Sequence, residues 1–186
     1  MLGRGILRGL IETGRNFCGS YCDPARLTTV QYPEETLPPL ENARTIPFLV
    51  YDGNDPLDGL RCTACTICAL ECPAHCIEIV KDTAKKPDYL GKMQIQPKVF
   101  DIDMAVCMEC GICAEVCPFD SIKMDRVFEL AGEDRRMILH KADLAKSNEY
   151  FREIHPAEAA AVDAARAEEQ RKAQAKKIAA TVPTPA

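Results

Sequence analysis

The sequence predicts an α+β fold whose core is a duplicated, cysteine-rich unit with a pseudo-twofold repeat. The 186-residue chain contains 11 cysteines but no tryptophan, so it has little bulk for a large apolar core and needs covalent or metal cross-links. The segment CTACTICALECP at 62–73 also recurs as CMECGICAEVCP at 107–118, with every cysteine and the closing proline at a constant offset of 45 positions. This duplication predicts two copies of one supersecondary unit packed face to face.

Extended segments surround the repeat. CIEIVK follows the first copy and SIKMDRVFEL follows the second, and both alternate apolar and polar residues as short strands do. QIQPKVFDIDMAVC at 94–107 approaches the second copy in the same extended style. IPFLVY at 46–51 is the longest apolar run and indicates a strand or a buried loop, far short of the roughly 20 residues that cross a bilayer.

The two ends of the chain predict helices of different character. On a helical wheel, residues 1–17 place apolar side chains on one face and three arginines on the other, which predicts an amphipathic helix. Residues 156–182 begin with proline at the first helical position and continue with an alanine-rich body. Alanine buries little surface, so we expect this second helix to be solvated or loosely docked. The apolar residues of the first helix are Leu2, Ile6, Leu10 and Phe17.

The cysteine spacing C-x2-C-x2-C-x3-C-P is that of bacterial ferredoxins with two [4Fe–4S] clusters. Three thiolates two residues apart wrap around one cluster, and the extra residue before the fourth cysteine carries its thiolate to the neighbouring cluster. The spacing therefore predicts a bacterial two-cluster ferredoxin-like core with two [4Fe–4S] clusters as cofactors. We expect the first cluster on Cys62, Cys65, Cys68 and Cys117, and the second on Cys107, Cys110, Cys113 and Cys72.

Other uses of these cysteines fit the sequence less well. Thiols spaced at two and three residues rarely satisfy disulfide geometry, and the total is odd. Structural zinc usually takes two CxxC pairs separated by a longer stretch. Cys76 is the surplus cysteine of the first copy, and its counterpart is Ser121, so we expect small side chains packed behind each cluster. We interpret Cys18 and Cys22 as free thiols, and as non-ligands the three histidines His75, His140 and His155.

Charge and motifs argue against several other functions. The formal net charge of −5 makes nucleic acid an unfavourable partner. GRGILRG at 3–9 does not fit the dinucleotide pattern G-x-G-x-x-G, and we find no catalytic motif. We expect a chain that conducts electrons without a catalytic site of its own. Glu109, between two predicted ligands, should lower the potential of the second cluster if its carboxylate is unpaired.

Three features together resemble a known family: TVQYPEE at 29–35, the paired cysteine motifs, and FDIDMAVCMECGICAEVCPFDSI at 100–122. They are similar to the two-cluster iron–sulfur subunit of respiratory complex I, the I chain of NADH:quinone oxidoreductase, over roughly residues 5–155. The resemblance implies the same eight ligands and a relay of electrons from the NADH-side clusters to the cluster beside the quinone site. It implies three partners: the NADH-side iron–sulfur subunit, the quinone-site iron–sulfur subunit and the quinone-channel membrane subunit. Residues 1–17 would lie along the membrane surface.

We therefore predict a peripheral protein on the cytoplasmic face of the bacterial inner membrane. A mitochondrial presequence is the alternative for the arginine-containing N-terminus, but no serine-rich stretch accompanies it. The predicted segments are an amphipathic membrane-surface helix (1–22), an extended docking arm (23–60), the ferredoxin-like domain (61–130), a subunit-docking segment (131–155), and an alanine-rich helix with a frayed tail (156–186).

Two related functions stay open at this point. A free soluble ferredoxin would share the core, although a mobile carrier does not need some 60 residues before the first ligand. Ion-pumping hydrogenases and ferredoxin-fed complexes use a similar chain, and the electron donor that separates them binds other subunits.

Overall fold

The computed structural model describes residues 2–26, 29–87, 92–129 and 137–181. The chain divides into two compact units, Met1–Pro38 and Pro39–Ala186. Part of the predicted docking segment at 131–155 and most of the predicted frayed end at 181–186 lie outside the described residues. Among the described helices, none has the length and apolar character needed to cross a membrane.

The first unit contains the predicted amphipathic helix. Helix α1 spans Leu2–Cys22, and a short 3-10 turn follows at Pro24–Arg26. The side chains of Ile6, Leu10 and Phe17 are each about two-thirds exposed, at 65%, 65% and 64%. The helix prediction is confirmed, and its apolar face is open.

The first of two small sheets in the second unit has an apolar central strand. Strand β1 (Pro47–Tyr51) pairs antiparallel with β4 (Ile122–Met124) and parallel with β6 (Ala145–Ser147). The strand is covered on both faces, because Leu49 packs among the buried cysteines while Phe48 and Val50 pack among buried residues of the C-terminal helices, so its apolar run is fully buried. The stretch that the sequence left as a strand or a buried loop is therefore a strand.

The second sheet is built on a long hairpin. Strands β2 (Ile77–Pro87) and β3 (Met93–Asp103) are antiparallel, and β5 (Ile138–Leu139) adds to the outer edge of β3. Alternating side chains of the hairpin enter the core, with Ile79 opposite Phe100 in the register. The strands predicted after each cysteine motif and before the second motif are all confirmed.

The two cysteine loops share one backbone path. Each passes into a single helical turn, α2 (Ile67–Leu70) or α3 (Ile112–Glu115). Left-handed residues occur at the same repeat positions in both loops, because a tight wrap requires the chain to reverse its curvature there. The matched pairs, with their φ angles, are Ala64 (50°) and Glu109 (54°), Thr66 (68°) and Gly111 (79°), and His75 (49°) and Asp120 (49°).

The C-terminal helices pack against the first sheet. Helices α4 (Lys141–Leu144) and α5 (Asn148–Ile154) lead into α6 (Pro156–Thr181), so the predicted proline at the first helical position is confirmed. The expectation of a loosely docked α6 was wrong for its first turns, where Ala159 is 2% exposed.

Polar anchors explain this docking. The Ala157 N–H donates to the Glu41 carboxylate over 2.8 Å, and the Glu158 carboxylate pairs with Lys123 at 2.7 Å. About two turns further along the helix, Arg166 pairs with Asp52 at 2.9 Å. Charged contacts therefore supply the attachment that an alanine-rich face lacks.

Candidate iron–sulfur site

Two cavities lie behind the duplicated loops, and each is lined by cysteines from both halves of the repeat. The cavities are similar in size, with about 310 Å³ and 360 Å³ of space when the open solvent at their mouths is included, as expected for two equivalent centres. The cysteines of the first cavity are Cys62, Cys65, Cys68 and Cys117. The cysteines of the second cavity are Cys107, Cys110, Cys113, Cys72 and Cys76.

Burial and mutual repulsion keep two thiols of the first cavity, Cys62 and Cys68, protonated when they are free. Burial, together with smaller contributions from the sulfurs of Cys68 and Cys117, raises the pKa of Cys62 to about 12. Burial and the same Cys117 sulfur raise the pKa of Cys68 to about 11. These two buried thiols ionise readily only if a cationic centre takes their charge, so the site fits a group that binds thiolates.

The second cavity has the same electrostatics and adjoins the first. Burial is the main reason that the pKa of Cys113 is raised to about 12, and the sulfurs of Cys68 and Cys107 make smaller contributions in the same direction. Cys68 belongs to the first cavity, so its influence on Cys113 shows that the two cavities are neighbours. Adjacent centres of this kind suit electron transfer from one to the other.

The crossing cysteines receive hydrogen bonds from the turns that follow them. Burial acts to raise the pKa of the Cys72 thiol, but the N–H and thiol of Cys76 and the N–H groups of Ala74 and His75 outweigh burial and lower it. In the other half of the repeat, the Ser121 N–H donates to the Cys117 sulfur over 3.4 Å. Donors aimed at sulfur stabilise its anionic form, as they do around bound iron–sulfur clusters.

The surplus cysteine and its counterpart occupy matching places. The Cys76 sulfur is 3.5 Å from the Cys72 sulfur, and the Ser121 hydroxyl oxygen is 3.1 Å from the Cys117 sulfur. Both side chains line a cavity, in agreement with the expected small side chain beside each cluster. Burial raises the pKa of the Cys76 thiol, and its contacts with the sulfurs of Cys72 and Cys107 add to the effect.

Apolar side chains complete the cavity walls. Ile122 lines the first cavity and Ile77 the second, and these apolar side chains help to exclude water from both. Phe100, fully buried on β3, closes the first cavity, and Ile102 on the same strand reaches the second. Two consecutive inward positions of one strand therefore serve both centres.

Arg44 has a role that no sequence motif indicates. Its guanidinium donates to the Cys110 carbonyl over 2.9 Å and pairs with Glu115, so it bridges the second loop and helix α3. A Cβ atom at Gly111 would lie 2.9 Å from the Arg44 side chain, which explains the glycine. A lone arginine before a strand has no motif, so only the fold relates it to the cysteines.

The other predicted residues lie elsewhere. Cys18 and Cys22 are exposed on α1. The His140 ring faces Asp101 at 3.0 Å, and a His155 ring nitrogen contacts the Met124 carbonyl at 2.7 Å. Within the described ranges, no three His, Cys, Asp or Glu side chains converge tightly enough to hold a single metal ion.

Comparison with known proteins agrees with this geometry. The model of the 4Fe-4S dicluster domain family matches residues 61–121, which contain both loops. NADH-quinone oxidoreductase subunit I 2 of Cereibacter sphaeroides is 38% identical over 147 residues, 78% of this chain and 80% of the relative. Subunit I of Pelobacter propionicus is 32% identical over 170 residues, 81% of this chain and 89% of the relative.

A third relative gives the same result over a smaller share of its length. NADH-quinone oxidoreductase subunit I 2 of Streptomyces coelicolor is 36% identical over 148 residues, which are 76% of this chain and 66% of the relative. The dicluster domain and its thiol-lined cavities mean that the chain carries two [4Fe–4S] clusters and transfers electrons. The chain therefore belongs to the family of NADH-quinone oxidoreductase subunit I.

Proposed function

We propose that this protein is the electron-transfer subunit of a proton-pumping NADH:quinone oxidoreductase and relays electrons through its two clusters towards the cluster at the quinone site. One observation carries the proposal. Each cavity combines three thiols of one motif with the crossing thiol of the other, so the two centres are adjacent and share their protein supports. Family membership supplies the oxidoreductase in which such a relay works.

The proposed ligands follow the cavity linings. A bound [4Fe–4S] cluster accepts and donates one electron at a time. The thiolates hold it and the isoleucine and phenylalanine walls exclude water, which sets its potential. Because the free thiols have raised pKa values, we expect loading to release protons. The proposed first set is Cys62, Cys65, Cys68 and Cys117, and the second is Cys107, Cys110, Cys113 and Cys72.

Iron analysis and low-temperature EPR of single variants test the ligand sets. We expect about eight irons in the anaerobically prepared protein. Cys65→Ala should change the spectrum of the first cluster and Cys110→Ala that of the second. The decisive variant is Cys117→Ala, whose spectrum should match the change in Cys65→Ala. A match with Cys110→Ala instead would contradict the crossed arrangement.

The proposed surroundings are the cytoplasmic face of the bacterial inner membrane. There the partners would be the NADH-side iron–sulfur subunit, the quinone-site iron–sulfur subunit and the quinone-channel membrane subunit. The open apolar face of α1 supports a helix that lies along the membrane at 1–22. We propose that the arm at 23–60 and the segment at 131–155 dock onto partner subunits, and that the core at 61–130 holds the clusters.

Native electrophoresis of gently solubilised membranes tests these partners. The full chain should migrate with a large assembly that oxidises NADH and reduces a quinone. Migration as a free chain would favour a soluble ferredoxin, and an assembly that evolves hydrogen would favour the related hydrogenase. Leu10→Glu, on the exposed face of α1, should weaken attachment to the assembly while leaving the iron content unchanged.

A further inference from the structure

We propose that Cys76 is a reserve ligand of the second cluster and can take over the iron that Cys72 holds. The inference rests on the ligand sets proposed above, which leave Cys76 without an assigned role. It concerns the cavity that has five lining cysteines where its partner has four.

The position of the Cys76 sulfur carries this inference. Cys76 is 8% exposed and lines the second cavity, and its sulfur lies 3.5 Å from that of Cys72. It also contacts the sulfur of Cys107, a ligand from the other half of the repeat. The Cys76 thiol therefore lies beside the proposed donors of the second cluster, and a change of its χ1 rotamer can carry its sulfur towards the position that Cys72 occupies.

The chain between Cys72 and Cys76 favours the replacement of one sulfur by the other as the iron ligand. Left-handed His75 folds residues 73–75 back on themselves, and the N–H groups of Ala74, His75 and Cys76 point at the Cys72 sulfur. These donors surround the place where a replacement thiolate would sit, so they can stabilise either sulfur. The exchange is not a redox step: Cys76 releases its thiol proton and forms the iron–sulfur bond, while the iron bond to Cys72 breaks and the displaced Cys72 thiolate takes up a proton.

The first cluster provides an internal comparison. Ser121 occupies the place of Cys76 in the second half, 3.1 Å from the Cys117 sulfur and after the left-handed residue Asp120. A serine hydroxyl ionises far less readily than a thiol and is a harder donor than iron–sulfur sites prefer. The first cluster should therefore have no effective reserve.

Iron content and EPR of matched variants test the proposal. We expect Cys72→Ala to keep about eight irons and a second cluster with shifted g values, whereas Cys72→Ala/Cys76→Ala should lose about half of the iron. Cys117→Ala should lose the first cluster, and Cys117→Ala/Ser121→Cys should regain it. Cys76→Ser alone should keep both clusters, which would show that loss in the double variant is not a folding defect.

The possible outcomes distinguish a failure of the reserve-ligand proposal from a failure of the proposed ligand sets. If Cys72→Ala and Cys72→Ala/Cys76→Ala both lose the second cluster equally, the reserve role is wrong and the ligand sets stand. If Cys72→Ala loses the first cluster, or if the double variant keeps both clusters unchanged, the ligand sets themselves are wrong.

Discussion

At Gly111 the left-handed backbone conformation is not the only feature that favours glycine, because the side chain of Arg44 also lies close to this position. Thr66 adopts the same left-handed conformation in the first loop with a full side chain. The difference is Arg44, whose guanidinium approaches so closely that a Cβ atom at Gly111 would lie within 2.9 Å of it. Single residues therefore distinguish two loops that otherwise share one path.

Gly111→Ala should displace Arg44 and break its bond to the Cys110 carbonyl. We expect the free energy of unfolding to fall by about 1–3 kcal/mol, from a left-handed alanine and a lost charged hydrogen bond. Anaerobic denaturant titration measures this change. In an Arg44→Ala background the same substitution should cost less, since the contact is already absent. Equal costs in both backgrounds would mean that Arg44 does not explain the glycine.

Glu109→Gln should raise the potential of the second cluster, because it removes a negative charge from the loop that lines the second cavity. The Glu109 side chain is exposed, so water screens its charge and we expect only a few tens of millivolts. EPR-monitored redox titration measures the two potentials separately. The potential of the first cluster is the control and should not change, while an unchanged second potential would rule out this role for Glu109.

Among the secondary-structure elements, strand β1 links the cysteine core to the C-terminal part of the chain, which its sequence does not indicate. It joins β4, which follows the second cysteine motif, to β6, which precedes the C-terminal helices. Its Leu49 packs in the same buried cluster as Cys62, Cys68 and Cys72. Packing of this strand therefore supports the walls of both cavities.

Leu49→Ala should destabilise the fold by about 2–5 kcal/mol, because a fully buried leucine leaves a cavity when truncated. Iron loss to a chelator should become faster as well, since the truncated side chain packs against ligand cysteines. Leu40→Ala is the matched control, because Leu40 is 80% exposed and the same truncation should change stability little. A similar effect for both variants would mean that β1 does not support the clusters.

Much of the fold could be predicted wherever the cysteine spacing or the alternation of side chains sets it. Both loops, the hairpin strands and the two terminal helices followed from such patterns. Residues 47–51 have no alternation because both faces are buried, so pairing of β1 with β4 could not be inferred. The docking of α6 depends on ion pairs such as Arg166 with Asp52, which are distant in sequence and carry no periodic pattern.

For the molecule as a whole, the crossed linings join the two halves of the repeat into one cooperative unit. Each cavity needs a cysteine that lies in the other motif, and both share strand β3 as a wall. With the ligand sets proposed above, neither half would close a metal site without the other. Loss of one cluster should therefore weaken the support of the second.

Removal of iron should unfold the cluster core in a single transition. With the cross-links gone, the remaining apolar core is small and the buried free thiols do not replace the metal bonds. On titration with an iron chelator under anaerobic conditions, far-ultraviolet circular dichroism should decrease in one step as the EPR signals of the clusters are lost. Circular dichroism that persists after both signals have gone would contradict this dependence on iron.

The placement of Cys117 in the first cavity also bears on biosynthesis. A ribosome that has released residues up to the end of β3 has exposed three of the four thiols of that cavity, and the last follows only after the second motif is made. A nascent chain is therefore unable to finish its earlier metal centre first. With the proposed ligand sets, insertion of iron and sulfide would wait for almost two-thirds of the polypeptide, and both sites would be completed at nearly the same point of synthesis.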